Sequence, residues 1–149
     1  MDKEKILSLH VYTDGGSRGN PGNGAIAFAI YDDKGKLLKE KSESIGICTN
    51  NVAEYKALIA ALEEASNYCQ GEIFCFSDSE FMVKQLNGKN KVRKKHIKKL
   101  YLKVKDLEKT FESVIYSHLP RENSRISKAD RLVNKELNSQ LRKKIRFDF

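Results

Sequence analysis

The chain has 149 residues, of which 40% are hydrophobic, and its 28 Lys and Arg against 20 Asp and Glu give a formal net charge of +8. This length suits one domain with a core of its own, so we expect a single domain over residues 1–149, with a basic tail from about residue 142. The longest apolar runs are too short to cross a bilayer and the start MDKEK differs from a signal peptide, so we expect no membrane protein.

The basic balance predicts a polyanionic partner, which is either nucleic acid or an anionic membrane surface. The cysteines Cys48, Cys69 and Cys75 form no C-x-x-C motif. We therefore expect them to be buried, unpaired thiols in a reducing cytoplasm rather than a disulfide framework.

Hydrophobic periodicity predicts nine elements along the chain. We expect strands over 5–13, 24–33 and LLKEKSESIGI, then a helix over 51–69 and a strand over 72–77. A short helix over about 79–87, an amphipathic helix carrying Ile97 to Leu107 and a strand over 113–119 follow. The final helix should begin at about Ser127, with Leu132, Val133, Leu137 and Leu141 facing inward. The turn DDKG predicts an antiparallel hairpin of the second and third strands. The order β-β-β-α-β-α-α-β-α predicts an α/β fold in which helices cover a mixed sheet.

The segment YTDGGSRGNPGNG, residues 12 to 24, raises the possibility of a phosphate-binding loop. Its glycines fit neither G-x-x-x-x-G-K-[ST] nor a G-x-G-x-x-G that opens a helix, and a strand follows Gly24. The segment instead predicts that Asp14 ends a strand, and that a tight turn follows whose glycines let another backbone approach closely.

Three more carboxylates are predicted at the ends of elements. Glu54 lies in the first turn of the long helix, Asp78 follows the apolar strand EIFCFS, and Asp130 opens the last helix. A right-handed β-α-β crossover makes the first and fourth strands parallel neighbours, which places Asp14 beside Asp78. Glu54 heads the helix between these two strands.

Each acid also has a purely local explanation. Asp14 could form an Asx-turn, Asp78 could be a helix N-cap, and Glu54 and Asp130 could complete capping boxes with Asn51 and Ser127. Four gathered carboxylates, however, repel one another unless cations neutralise them, and hard oxygen ligands favour Mg²⁺ or Mn²⁺. Two such ions about 3.5–4 Å apart hydrolyse phosphodiesters, so a basic chain with this site predicts a nuclease.

Four motifs, TDGGSRGNPG, TNNVAEYKAL, DSEFMVKQLNG and HLPREN followed by SKADRLVN, resemble ribonuclease H type 1 in their order and context, from about residue 8 to 140. The resemblance implies the ribonuclease H fold, with a five-stranded mixed sheet of order 3-2-1-4-5 and helices on both faces. It also implies an endonuclease that hydrolyses the RNA strand of RNA–DNA hybrids with two Mg²⁺ or Mn²⁺ ions. We expect a monomer in the cytoplasm. Double-stranded RNA is a further candidate partner.

By the same resemblance, the catalytic and metal-binding residues are Asp14, Glu54, Asp78 and Asp130. Asp14 bridges both ions, Asp130 serves the ion on the side of the attacking water, and Glu54 and Asp78 serve the other ion. Further substrate contacts are implied for Gly15, Asn20, Asn50 and Asn51 in the minor groove of the hybrid, and for Thr49 at a phosphate of the DNA strand. Backbone approaching through glycine is suited to reading the 2′-hydroxyl that distinguishes RNA from DNA.

The chain departs from many family members because the interval after Asp78 lacks a basic protrusion, as in archaeal and some Gram-positive members. The segment KNKVRKKHIKK, residues 89 to 99, holds seven Lys or Arg and no acid. We predict that it replaces the protrusion along a phosphate backbone, with Lys89, Lys91, Arg93 and Lys94 as candidate contacts; a solvated helix face is the alternative. The tail RKKIR, residues 142 to 146, is a weaker candidate.

Arg121 stands where the family often has a mobile histidine. We predict an electrostatic catalytic role for it, either at the scissile phosphate or in release of the 5′-phosphate product, because arginine stays charged and cannot shuttle protons. Its spacing of nine residues from Asp130 is about two longer than in similar members. His118 is predicted to be a strand side chain without a catalytic role.

Two other functions remain open from the sequence. One is a non-catalytic module that binds hybrid or double-stranded RNA, and the other is a different enzyme on the same fold, such as a transposase or exonuclease domain. The intact acids favour an enzyme over a binder, and the motifs TNNVAE and DSEFMVKQL favour ribonuclease H over other nucleases.

Overall fold

The structure is a computed structural model that describes the backbone of residues 5–147 and the side chains of residues 5–143. Its elements are β1 (Ser8–Gly19), β2 (Gly22–Asp32), β3 (Leu37–Cys48), α1 (Asn50–Ala65), β4 (Glu72–Ser77), α2 (Glu80–Leu86), α3 (Lys95–Glu108), β5 (Ser113–His118) and α4 (Ser124–Phe147). The predicted order of elements is therefore confirmed. No helix within the described residues is long and apolar enough to cross a membrane.

The five strands form one sheet in the order β3-β2-β1-β4-β5, which confirms the order implied by the resemblance. The β1–β2 and β2–β3 pairs are antiparallel, whereas β1–β4 and β4–β5 are parallel. Tyr12 of β1 lies opposite Phe76 of β4. Two residues further along each chain, Asp14 and Asp78 therefore lie at the same end of neighbouring strands.

Helices cover both faces of the sheet because alternate residues of each strand point to opposite sides. On one face, Leu9 and Val11 of β1 pack in a core with Leu58 and Leu62 of α1, and this core extends to α3. On the other face, Tyr12 packs with Ile126 of α4. The helix α1, which carries Glu54, thus lies against β1, which carries Asp14.

The prediction that β1 ends at Asp14 is wrong. The strand continues through the glycine-rich segment, and its ladder with β2 runs on from Asp14 opposite Ala27 to Gly19 opposite Gly22. This antiparallel pairing satisfies the backbone hydrogen bonds that the sequence alone assigned to a turn. The tight turn lies instead at residues 19–22, where Gly19 has a φ of +100°.

Two helix boundaries also differ from the prediction. The helix α1 ends at Ala65 rather than near residue 69, and a turn follows it. The helix α4 begins at Ser124 rather than near Ser127, because the side-chain oxygen of Asn123 accepts the backbone N–H groups of Arg125 and Ile126. Asp130 therefore lies in the second turn of α4 and does not open it.

The inward face of α4 is shorter than predicted. Val133 and Leu137 are buried against the sheet, and Leu132 is partly buried, but Leu141 is 51% exposed. In the predicted basic tail, Arg142 is exposed within α4, and the side chains beyond residue 143 lie outside the described residues.

Candidate active site

Three of the four predicted acids form a cluster at one end of the sheet. Carboxylate oxygens of Asp14, Glu54 and Asp78 all lie within 4.8 Å of one another. Asp14 and Glu54 are buried, with 4% and 8% of their surfaces exposed. Asp130 lies outside this cluster but lines the same open cavity of about 460 Å³.

The local explanations for these acids do not hold, because other residues cap the helices. Thr49 caps α1, since its hydroxyl accepts the N–H of Val52. Ser79 caps α2 in the same way, and Asn123 caps α4. The structure therefore contradicts capping boxes of Asn51 with Glu54 and of Ser127 with Asp130, and it contradicts Asp78 as an N-cap. An Asx-turn at Asp14 is also wrong, because Asp14 lies within β1.

Glu54 is held by the strand opposite its helix. Its Oε1 accepts the backbone N–H of Gly15 at 2.5 Å. A Cβ on Gly15 would clash with the backbone carbonyl of Ala53. The predicted close approach of a second backbone at the glycines is confirmed, and it brings the Glu54 carboxylate onto β1 beside Asp14.

Burial and mutual repulsion make the acids hard to ionise in the absence of a cation. Burial raises the pKa of Asp14 to about 8, with further contributions from the charges of Asp78 and Asp130. The pKa of Glu54 is raised well above its usual value, first by burial and then by the charges of Asp14 and Asp78. Ionising these carboxyl groups together is therefore unfavourable, and a bound cation would stabilise their ionised forms.

The donor set fits a hard divalent cation. All of the ligand atoms in the cluster are carboxylate oxygens, and the cavity is open to solvent, so water could complete a coordination shell. A metal that prefers sulfur or nitrogen ligands has no such ligand among the three clustered residues.

Arg121 is a basic side chain that contacts this cluster. Its Nε donates to Oδ2 of Asp78 at 3.2 Å, and the Arg121 side chain is 70% exposed while that of Asp78 is 10% exposed. Arg121 lines the cavity, whereas His118, the exposed last residue of β5, is outside its described lining. His118 is thus a strand residue, as predicted.

The predicted substrate-binding polar residues are joined in a network around the start of α1. The side-chain oxygen of Asn20 accepts the N–H of Asn50 at 3.0 Å. The side-chain oxygen of Asn50 in turn accepts the N–H of Ser17 at 2.9 Å. The Ser17 hydroxyl lies 3.2 Å from the same oxygen and donates to the carbonyl of Gly19 at 2.6 Å. Ser17 was missed by the sequence analysis although it lies inside the motif TDGGSRGNPG, because its partner is 33 residues away.

The basic segment 89–99 forms part of a second cavity. Lys91, Arg93 and Lys94 line a space of about 400 Å³ together with Asn51 and Phe81. Residues 89–94 form a loop before α3, so this half of the segment is no helix face, and Lys89 is exposed in the same loop. The structure therefore joins the basic loop to the asparagine motif, which the sequence treated separately.

The chain resembles proteins of known structure over most of its length. The sequence profile described as reverse transcriptase-like matches residues 12–136. The crystal structure of RNase H1 from Halobacterium salinarum is similar with a TM-score of 0.84 and 35% identity, over 89% of this chain and 98% of that one. LC11-RNase H1, solved in complex with an RNA/DNA hybrid, matches with a TM-score of 0.84 and 38% identity, over 89% and 99% of the two chains.

A curated relative is longer than this chain. The bifunctional protein Rv2228c of Mycobacterium tuberculosis is 37% identical over 129 residues, which make up 86% of this chain and 35% of that protein. The chain thus spans about a third of the length of this relative.

Proposed function

The chain belongs to the ribonuclease H type 1 family, and we propose that it is a metal-dependent endoribonuclease that hydrolyses the RNA strand of RNA–DNA hybrids. The observation that carries this proposal is the cluster of Asp14, Glu54 and Asp78 within 4.8 Å, with Asp130 on the same cavity. The hybrid bound to LC11-RNase H1 supports the choice of substrate.

The acids would hold two ions, which we propose to be Mg²⁺ or Mn²⁺. Asp14, Glu54 and Asp78 would hold one ion, and Asp14 and Asp130 would hold the other. Bound ions would supply an activated water and neutralise charge on the leaving 3′ oxygen. The protein's own contribution is to fix the carboxylates in advance, as the hydrogen bond from Gly15 does for Glu54.

The asparagine network would read the RNA strand. The backbone N–H of Ser17 donates to the side-chain oxygen of Asn50 and so fixes the orientation of this amide, whose N–H groups would donate to acceptors in the minor groove. Gly15 and Asn51 lie with Asn50 on the rim of the active-site cavity, and Asn20 accepts the backbone N–H of Asn50 behind it. A 2′-hydroxyl within reach of this rim distinguishes RNA from DNA.

The DNA strand would lie along the basic side of the site. The hydroxyl of Thr49 accepts a hydrogen bond from Val52, and its own proton remains available for a phosphate oxygen. Lys91, Arg93 and Lys94 at the second cavity, with Lys89 beside them, would bind successive phosphates.

We propose further that Arg121 contacts the scissile phosphate or the 5′-phosphate product, because its exposed guanidinium already lies at the cavity. The three cysteines are free thiols, and this supports a reducing cytoplasm as the compartment. A monomer remains our proposal, and cleavage of double-stranded RNA is a further candidate activity.

A substrate panel tests the proposed function. RNA–DNA hybrid, double-stranded RNA, duplex DNA and single-stranded RNA, each labelled on both strands where there are two, are incubated with Mg²⁺, Mn²⁺ or EDTA. We expect internal cuts in the RNA strand of the hybrid only when a metal is present. Cleavage of the DNA strand, or equal cleavage in EDTA, would contradict the proposal.

A further inference from the structure

Arg121 makes a contact that the proposed phosphate role does not require. Its Nε donates to Asp78 at 3.2 Å, and Asp78 is itself one of the three clustered carboxylates. A positive group thus lies against the acid cluster from its solvent side, since the arginine side chain is 70% exposed and that of Asp78 only 10%.

The charge of Arg121 also acts beyond its direct partner. The guanidinium lines the same cavity as Asp14, Glu54 and Asp130, so its positive charge offsets the repulsion among carboxylates that it does not contact. This is the electrostatic effect that a divalent ion would have on the same group of acids.

We propose that Arg121 is a tethered counter-ion, which neutralises Asp78 in the metal-free protein and must release this carboxylate when a divalent ion binds. The proposal rests on the metal site of the proposed function. Because most of the arginine side chain is exposed, release requires a change of rotamer and no rearrangement of the core.

Two consequences follow from this exchange. Arg121 competes with the metal for Asp78, so it weakens metal binding even though it stabilises the metal-free site. Once released, the guanidinium is free to meet a phosphate oxygen, so metal binding makes Arg121 available to the substrate. Metal and substrate binding would then favour each other, since such coupling is reciprocal.

Titration calorimetry of Mn²⁺ into chelator-stripped protein tests the proposal without measuring activity. The variants are Arg121→Ala, Arg121→Gln and the matched control Arg131→Ala. The control removes an exposed arginine of α4, whose guanidinium donates to the hydroxyl of Ser127. We expect both Arg121 variants to bind the metal roughly two- to fivefold more tightly, the range of an exposed ion pair. The control should match the wild type.

Thermal unfolding of the same proteins provides a second measurement. In EDTA, both Arg121 variants should melt at a lower temperature than the wild type, and saturating Mn²⁺ should remove this difference. Unchanged or weaker metal affinity in the Arg121 variants, while the wild type binds, would overturn the counter-ion proposal alone. Failure of the wild type to bind Mn²⁺ or Mg²⁺ would overturn the metal site and therefore the proposed function as well.

Discussion

At the scale of single residues, the site depends on carboxyl groups in an environment that opposes their ionisation. Asp14 and Glu54 are buried beside each other and beside Asp78, and burial is the largest cause of the raised pKa of both. Such an arrangement destabilises the metal-free fold, and replacing one acid with a neutral side chain should recover the lost stability. The cost is therefore measurable in the metal-free protein.

We predict that the metal-free protein loses stability as the pH rises from about 4 to about 8. A folded-state pKa of about 8 for Asp14 means that the folded chain keeps a proton that the unfolded chain has lost above about pH 4. Folding therefore takes up a proton in this window, and its contribution to stability is lost as the pH passes 8. Urea unfolding in EDTA at several pH values measures the effect.

The variant Asp14→Asn is the control for this pH dependence. It should be more stable than the wild type by about 1–2 kcal/mol at pH 8, and its stability should vary less with pH. An equally steep pH dependence in the variant would show that other groups cause it.

A second prediction at this scale separates Arg121 from His118. At saturating Mn²⁺, Arg121→Ala should lower kcat on the hybrid roughly tenfold, less than the 10²–10³-fold loss of a buried transition-state donor, because its side chain is exposed. His118→Ala should change kcat by less than twofold, since His118 ends β5 outside the described lining of the cavity. A larger loss in His118→Ala, with the fold intact by circular dichroism, would contradict this assignment.

At the scale of elements, the sequence predicted what depends on local pattern. Hydrophobic periodicity placed all nine elements in order, and the crossover rule placed β1 beside β4. Local pattern failed where pairing with a distant strand decides the structure. The end of β1 was predicted at Asp14, but pairing with β2 keeps the glycine-rich half of β1 extended as far as Gly19, opposite Gly22. Local pattern also missed the Asn123 cap, which starts α4 earlier than expected.

The same distinction applies within the site. The gathering of Asp14, Glu54 and Asp78 could be predicted because the crossover rule places β1 beside β4, with α1 between them in the chain. The bonds from Ser17 to Asn50 and from Arg121 to Asp78 span 33 and 43 residues, and no local pattern encodes them. They arise only when the sheet brings separate loops to one end.

The basic loop before α3 gives a prediction at the element scale. Replacing Lys91, Arg93 and Lys94 together by Ala should weaken hybrid binding, because fewer phosphates are then neutralised. The slope of log K against log salt should fall by about 0.7–0.9 for each phosphate that no longer has a basic partner. Fluorescence anisotropy with labelled hybrid at several salt concentrations measures both quantities.

The matched control removes Lys98, Lys99 and Lys103, three exposed charges on α3 outside the described lining of that cavity. We expect a smaller change in slope for this triple variant. Equal changes in both variants would mean that the segment acts through its overall charge, and that the cavity has no particular role.

At the scale of the whole molecule, a chain of net charge +8 carries an acidic cluster at one end of its sheet. We assign the two features separate purposes, because the positive surface attracts a polyanion while the acids collect the cations that cleave it. A module that only binds nucleic acid would gain nothing from repelling carboxylates.

The most direct test of the proposed enzyme is cleavage of a hybrid labelled on both strands. The wild type, Asp14→Asn and Asp78→Asn are compared in Mg²⁺ or Mn²⁺, and the affinity of each protein for the hybrid is measured in parallel. We predict that the wild type cuts only the RNA strand, and that each variant loses at least about a hundredfold in kcat while its affinity for the hybrid stays within a few-fold. Variants that cleave as well as the wild type, or a wild type that binds hybrid without cutting its RNA strand, would contradict the proposal.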